Sequence, residues 1–214
     1  MTPTKRPGRP GVLAFDWNGT LVDDTGRALR ATNRVLREHG LAPLGEPGFR
    51  AAFTLPMREF FARLGIAEQR SDEAEKRWNE EMAAETAPLS PGAAEILRTA
   101  ADCGVHVVVV SAASSQSVLS DARRLGVGHL LADVVGSAGD KAAVLSRLVA
   151  GGRGPVVYVG DVEYDIRSAF AAGAYPVGFG RGYRPAAALA EAGAEVVVWN
   201  LASLGMLFTG VPAA

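Results

Sequence analysis

The segment FDWNGTLVDD, Phe15–Asp24, ends the apolar run that begins at Val12. It places a carboxylate, Asp16, at the end of what reads as a buried strand, and then turns the chain at Gly19 and Thr20. Carboxylates are almost never fully buried without a partner, so packing alone gives Asp16 no reason to be there. Two residues on stands an amide, Asn18, where a second carboxylate would make chemical sense.

Runs of the same kind recur along the chain: VHVVVVSA from Val105, DVVGSA from Asp133, PVVYVGD from Pro155, EVVVWN from Glu195 and a weaker YPVGFG from Tyr175. They are continuous rather than alternating, as strands covered on both faces must be. Helical patterns with punctuation lie between them. Ser90 and Pro91 read as cap and first turn of GAAEILRTAADCG; Ser114 or Ser115 opens QSVLSDARRLG; Asp140 caps KAAVLSRLVAGG; EYDIRSAFAAG ends at Gly173. This alternation predicts an α/β fold, a Rossmann-like doubly wound parallel sheet, formed by residues 11–24 and 89–214. Residues 25–88 break the pattern with amphipathic and aromatic-rich segments and no strand. They are expected to form an all-helical cap inserted after the first strand, placed to act as a lid. Residues 1–10, rich in Pro, Gly and Arg, read as a disordered tail.

The chain of 214 residues is long enough for one well-buried core and a modest insertion. Its net charge of -1 supplies no global basic field, which argues against nucleic acid or an anionic membrane as partner. No stretch approaches the roughly 20 apolar residues of a membrane-spanning helix. Cys103 is the only cysteine, so an intrachain disulfide is impossible and a reducing, cytoplasmic setting is expected. His39, His106 and His129 are scattered and show no ligand spacing. Composition leaves the oligomeric state open.

In an open parallel sheet, ligands bind beyond the carboxyl ends of the strands. The predicted strands deliver Asp16 and Asn18, then Ser111, then Lys141, then Asp161 and Asp165, to that edge. These types suit a phosphate ligand. Lys141 and a Mg²⁺ held by Asp16 and Asp161, with Asp165 behind through water, would offset the charge of a phosphoryl group. Ser111 can donate to a phosphoryl oxygen, and Asp16 can attack phosphorus. Taken singly, each has a blander reading as a helix cap or a solvated side chain; the ordered set is what points to chemistry.

That set resembles the haloacid dehalogenase-like hydrolase superfamily, whose members are mostly Mg²⁺-dependent phosphatases. DWNGT is similar to the motif DxDGT, Ser111 and Lys141 match the second and third motifs, and GDVEYD matches GDxxxD. The insertion is similar to the small helical cap of the phosphoglycolate phosphatase-like branch. The resemblance implies Asp16 as nucleophile, with Mg²⁺ bound by Asp16, the backbone carbonyl of Asn18 and Asp161, supported by Asp165. Thr20, Ser111 and Lys141 are expected to contact substrate, a small phosphorylated metabolite.

Asn18 departs from the family pattern, in which an aspartate there protonates the leaving oxygen and activates the hydrolytic water. Such acid–base help is typically worth about 10² to 10⁴ in rate. Four readings follow: a phosphatase that manages without it, a phosphotransferase, a phosphonate-cleaving relative, or a low-turnover phosphate-ligand-binding protein. The phosphonate reading needs a desolvated cap lysine, and Lys76 sits in a charged helix instead. A dehalogenase would leave the Asp161 and Asp165 pair unexplained. Because Gly19 follows Asn18, deamidation is also expected to be open to it. In the cap, Arg58 within TLPMREFF is the candidate for contacting the leaving portion of the substrate, with an ordinary surface arginine as the alternative.

Overall fold

The computed structural model describes residues 8–209. The elements run β1 (Val12–Phe15), α1 (Thr25–Glu38), α2 (Glu46–Ala52), α3 (Met57–Arg63), α4 (Ser71–Ala84), α5 (Ala93–Asp102), β2 (His106–Val110), α6 (Ser115–Arg124), β3 (Asp133–Val135), α7 (Lys141–Ala150), β4 (Val156–Gly160), α8 (Glu163–Ala172), β5 (Tyr175–Phe179), α9 (Ala186–Glu191), β6 (Val196–Val198) and α10 (Met206–Thr209). The strands form one six-stranded sheet in the order β3-β2-β1-β4-β5-β6. Every pairing is parallel. The order reverses at β1, between its neighbours β2 and β4, which is where such sheets open a crevice.

The continuous apolar strands are explained by two cores. Leu13, Phe15, Val107, Val109, Val157 and Val159 face one layer with Ile96 and Leu97 of α5. Val12, Ala14, Val108, Val110 and Tyr158 face the other with Val144 and Leu145 of α7. All four residues of β1 are buried, so neither face of the strand tolerates a polar residue before Asp16.

A third apolar cluster lies among α1 to α4, built on Phe49, Phe53, Phe60, Phe61 and Trp78, and it includes Val162 and Tyr183 from the sheet side. The Tyr183 ring packs edge-on against Phe53 at 4.6 Å and Phe49 at 5.6 Å. Arg184 adds a polar tie, donating to the carbonyls of Arg50 at 2.6 Å and Ala51 at 2.7 Å while it pairs with Glu163. The helical segment thus rests on the loop after β5, over the carboxyl ends of the strands.

Ser114 caps α6, accepting from Ser117 N at 3.1 Å, and Asp140 caps α7, accepting from Ala143 N at 2.9 Å, as their positions predict. The expected cap at Ser90 and Pro91 does not form. Their backbone is tied to Leu21 and Leu201, and the helix starts only after a left-handed turn at Gly92 (φ 78). Of the predicted tail, residues 1–7 lie outside the described residues, as do residues 210–214 of the predicted core. No helix among the described residues is long and apolar enough to cross a membrane.

Candidate active site

Asp16 leaves the end of β1 with its backbone N bonded to the Val159 carbonyl of β4, so the two strand ends are held side by side. The turn that follows brings Gly19 against Asp161. Gly19 has φ 74, and a Cβ there would run into the Asp161 carboxylate, so only glycine lets the loop close over it. The same close approach explains Gly160, whose missing side chain makes room for the Asp165 carboxylate.

Asp16, Asp161 and Asp165 are all buried, and they present carboxylate oxygens within 4.8 Å of one another. Lys141 Nζ lies between two of them, 3.0 Å from Asp16 Oδ1 and 2.6 Å from Asp165 Oδ1. Only the second contact has hydrogen-bond geometry, which leaves Asp16 Oδ1 buried without a hydrogen-bond donor. Burial alone would drive the Lys141 ammonium down, yet the Asp16 and Asp165 carboxylates outweigh it and hold its pKa well above the usual value. Lys141 is therefore a fixed cation.

The carboxylates divide by their partners. Asp165 accepts from Lys141 Nζ on one oxygen, where Tyr158 Oη also lies 3.2 Å away with its single proton shared with the Val110 carbonyl, and from the backbone N of Asp161 and of Val162 on the other. Donors occupy both of its oxygens, so it organises Lys141 and the start of α8. Asp161 is held by Thr20 Oγ1 at 2.9 Å and Tyr183 N at 2.7 Å. Burial, then the Asp16 and Asp165 charges, push its pKa well up. Asp16 is pushed up to about 6, mainly by burial, with Lys141 pulling the other way.

A buried carboxylate oxygen with no hydrogen-bond donor, beside Asp161, whose ionisation burial opposes, and the carboxylate of Asp165, fits a hard divalent cation. The backbone carbonyl of Asn18 also accepts no hydrogen bond among the described residues. The cation-free protein carries a signature of this. Asp16 titrates near 3.8 in an unfolded chain and near 6 when folded, so between those values the folded chain holds more protons and its stability falls as pH rises. Melting temperatures in chelator should therefore drop from about pH 4 to pH 6 relative to those of Asp16→Asn. Excess divalent cation should remove the drop; a relative rise across the window would contradict the burial of this charge.

The structure brings Asp16, Lys141, Asp161 and Asp165 together as the sequence predicts, with Ser111 buried at the end of the neighbouring strand. The Ser111 hydroxyl accepts from Ala113 N at 3.3 Å and donates to no protein group among the described residues. Two expectations change. Thr20 is fully buried, and its hydroxyl donates to Asp161, so it braces that carboxylate instead of facing substrate. Arg58 lies on the open side of α3, 63% exposed, beside Glu68 at 3.6 Å, and it bonds to none of the strand-end residues. An apolar neighbourhood in sequence becomes an exposed face because Phe60 and Phe61 turn inward and Arg58 does not.

Four contributors were not anticipated. Tyr158 and Tyr164 frame Lys141: Tyr158 Oη donates to the Val110 carbonyl at 2.9 Å and reaches Asp165, and Tyr164 Oη donates to the Gly139 carbonyl beside the start of α7. A tyrosine amid valines in a strand buried on both faces is a signal, because its hydroxyl must find a partner. Asp24 and Tyr183 meet through a 3.0 Å hydrogen bond across most of the chain length, and nothing local announces that pair. Asp24 Oδ1 also accepts from Gly19 N at 2.8 Å. Deamidation at Asn18 needs that nitrogen as the attacking group, so the expected lability is opposed in the folded chain.

A model of the haloacid dehalogenase-like hydrolase family matches residues 13–178. No curated protein matches. Among solved structures, a haloacid dehalogenase-like family hydrolase from Streptococcus pneumoniae superposes with a TM-score of 0.81 at 18% identity, over 94% of this chain and 99% of that one. A predicted phosphoglycolate phosphatase from Haemophilus somnus gives 0.78 at 18% identity, over 94% and 99%. CbbY from Rhodobacter sphaeroides, in complex with phosphate, gives 0.72 at 20% identity, over 92% and 96%. At such identities the superpositions speak for the fold, and the family match spans β1 to β5, the strands that carry the whole carboxylate and lysine cluster. With that match over most of its length, the chain belongs to the haloacid dehalogenase-like hydrolase family.

Proposed function

We propose that this protein is a Mg²⁺-dependent phosphatase that hydrolyses a small phosphate monoester in the cytoplasm through an aspartyl phosphate at Asp16. The observation that carries the reading is the buried cluster itself: a carboxylate oxygen with no hydrogen-bond donor, 3.0 Å from a permanent ammonium and within 4.8 Å of two further carboxylates. A structural salt bridge would not leave three buried carboxylates to one lysine. The Rhodobacter sphaeroides relative, whose structure contains phosphate, supports phosphate as the ligand of this fold.

Asp16, Asp161 and the Asn18 carbonyl would hold the cation, with Asp165 as outer support. When bound, the cation neutralises phosphoryl charge and keeps the Asp16 carboxylate ionised. Lys141 holds Asp16 from one side and offers an ammonium to a phosphoryl oxygen; Ser111 is free to donate to another. Asp16 attacks phosphorus and the leaving oxygen departs. Residue 18 cannot protonate it, because an amide has no proton to give at neutral pH.

Turnover should therefore depend steeply on the leaving group. The test is phosphate release from a panel running from acyl and aryl phosphates to alkyl phosphates, with and without Mg²⁺. Activated esters should turn over about 10² to 10⁴ times faster than alkyl esters, the range that general acid catalysis would otherwise supply. Equal rates across the panel would mean that another group delivers the proton. No Mg²⁺-dependent release from any ester would favour a phosphate-binding protein. Arg58 enters this scheme only through a substrate long enough to reach the outer side of α3, in which case Arg58→Ala raises KM for that substrate alone.

A further inference from the structure

Asp24 is buried at the start of α1, where the helical segment joins the sheet, and the family-type chemistry does not use it. Its carboxylate is saturated by four donors. Oδ1 accepts from Gly19 N at 2.8 Å and Tyr183 Oη at 3.0 Å; Oδ2 accepts from Asn18 Nδ2 at 2.6 Å and Arg27 Nη2 at 2.8 Å. Arg27 is itself buried and fixed by the carbonyls of Met82 and Glu85, so the Asp24 carboxylate has a permanent counter-charge.

A carboxylate in this setting only accepts. Of the two ends of the Asn18 amide, an accepting oxygen and a donating NH₂, only the NH₂ end can face it. The carbonyl end is thereby turned away from Asp24. Asn18 lies two residues after Asp16 and directly before Gly19, whose open side abuts Asp161, so the backbone that carries the amide runs between the end of β1 and the Asp161 carboxylate.

We propose that Asp24 is a positioning residue: it locks the Asn18 amide so that Oδ1, an acceptor that cannot take a proton, faces the phosphoryl site. This rests on the phosphatase reading and extends it to the hydrolytic step. Asn18 Oδ1 accepts a hydrogen bond from the incoming water and aims it. The water oxygen bonds to phosphorus, and the phosphorus bond to Asp16 breaks with its electron pair returning to the carboxylate. Both protons of the water leave with the phosphate, none on residue 18. The amide at position 18 and the carboxylate at position 24 are one unit, and a carboxylate at 18 facing an unchanged Asp24 would set two anionic oxygens against each other.

Two measurements test this. The first needs no turnover: in a ¹H–¹⁵N correlation spectrum of the folded wild-type protein, one Asn18 side-chain NH₂ proton should be shifted downfield and protected from exchange. That signature should vanish in Asp24→Asn. An ordinary, rapidly exchanging Asn18 amide in wild type overturns the proposal, whatever the activity. The second is a four-member cycle of wild type, Asn18→Asp, Asp24→Asn and the charge-exchanged Asn18→Asp/Asp24→Asn, assayed on an aryl phosphate with Mg²⁺.

Asp24→Asn alone should lower kcat at least about tenfold with KM little changed, because the amide loses its fixed orientation. The exchanged pair should exceed Asn18→Asp alone by about tenfold or more, since only there does a carboxylate at 18 meet a hydrogen-bond donor. Rates for Asn18→Asp equal to those of the exchanged pair would overturn the coupling. If no member releases phosphate, the phosphatase reading fails, and the amide resonance alone decides whether Asp24 orients Asn18.

Discussion

Asp16→Asn should abolish Mg²⁺-dependent phosphate release, with a loss of roughly 10⁴-fold or more, the scale reached when a covalent nucleophile is removed. The substitution keeps the shape of the side chain, so the loss is chemical. Asn cannot form the acyl phosphate, and the buried oxygen near Lys141 no longer carries charge. Stability should not fall with activity, because the replaced carboxylate is one whose charge burial opposes. Lys141 keeps Asp165 as its partner at 2.6 Å. Acid quenching during turnover should trap labelled phosphate on wild type and none on Asp16→Asn. Undiminished release from the variant would move the nucleophile elsewhere and remove the basis of the proposed reaction.

Lys141→Met produces the second large effect, on folding as well as on rate. The ammonium is buried, and it is the cation that contacts Asp16 and Asp165 directly. Removing one member of a buried ion pair typically costs about 3 to 5 kcal/mol, because the remaining charge stays desolvated. For a chain of this size that corresponds to a melting temperature lower by roughly 6 to 20 °C. Two conditions should rescue it. Added Mg²⁺ supplies the missing positive charge, and lower pH lets Asp16 and Asp161, whose charges burial opposes, take up protons, so the deficit should shrink as pH falls. Thermal unfolding of the variant in chelator and in Mg²⁺, from pH 5 to pH 8, reads both. A variant as stable as wild type in chelator would mean that these carboxylates are already protonated, and Asp16 could then not be the resting nucleophile.

These expectations place the unusual residue, Asn18, in a site that is otherwise intact. The cluster that binds and attacks does not depend on the side chain of residue 18, since Asp16, Lys141, Asp161 and Asp165 are fixed by Val159, Tyr158, Tyr183 and the start of α8. In the proposed reaction residue 18 orients the hydrolytic water and takes no proton. Its partner Asp24 supplies a reason for an amide there, because the pocket around Asp24 already holds one carboxylate and one arginine.

Much of this was open to reading from the chain alone. The central strands β1, β2 and β4 are continuous apolar runs, and burial of both sheet faces, with Leu13 and Phe15 on one side and Val12 and Ala14 on the other, is the physical reason. Asp16, Ser111, Lys141 and Asp161 could be placed because each follows a strand or opens a helix, and a parallel sheet delivers all such positions to one edge. The lapses are of another kind. The resemblance points Thr20 at substrate and the neighbourhood of Arg58 points that residue at a ligand, whereas hydrogen-bond direction ties the first to Asp161 and exposure sets the second on an outer surface.

By itself, then, the sequence determined the order of strands and helices, the helical character of the inserted segment and which polar residues lie at the strand ends, because those follow from periodicity, turn residues and parallel topology. Tertiary structure alone decided how the carboxylates share their donors. Asp165 is occupied on both oxygens by groups from β4, α7 and the start of α8, Asp16 is left with an unbonded oxygen, and Asp24 is joined to Tyr183 and Arg27. The physical reason is that a local pattern specifies which way a side chain leaves the backbone. The number of donors that meet it is set by residues far away in sequence, and that number separates a structural carboxylate from a reactive one.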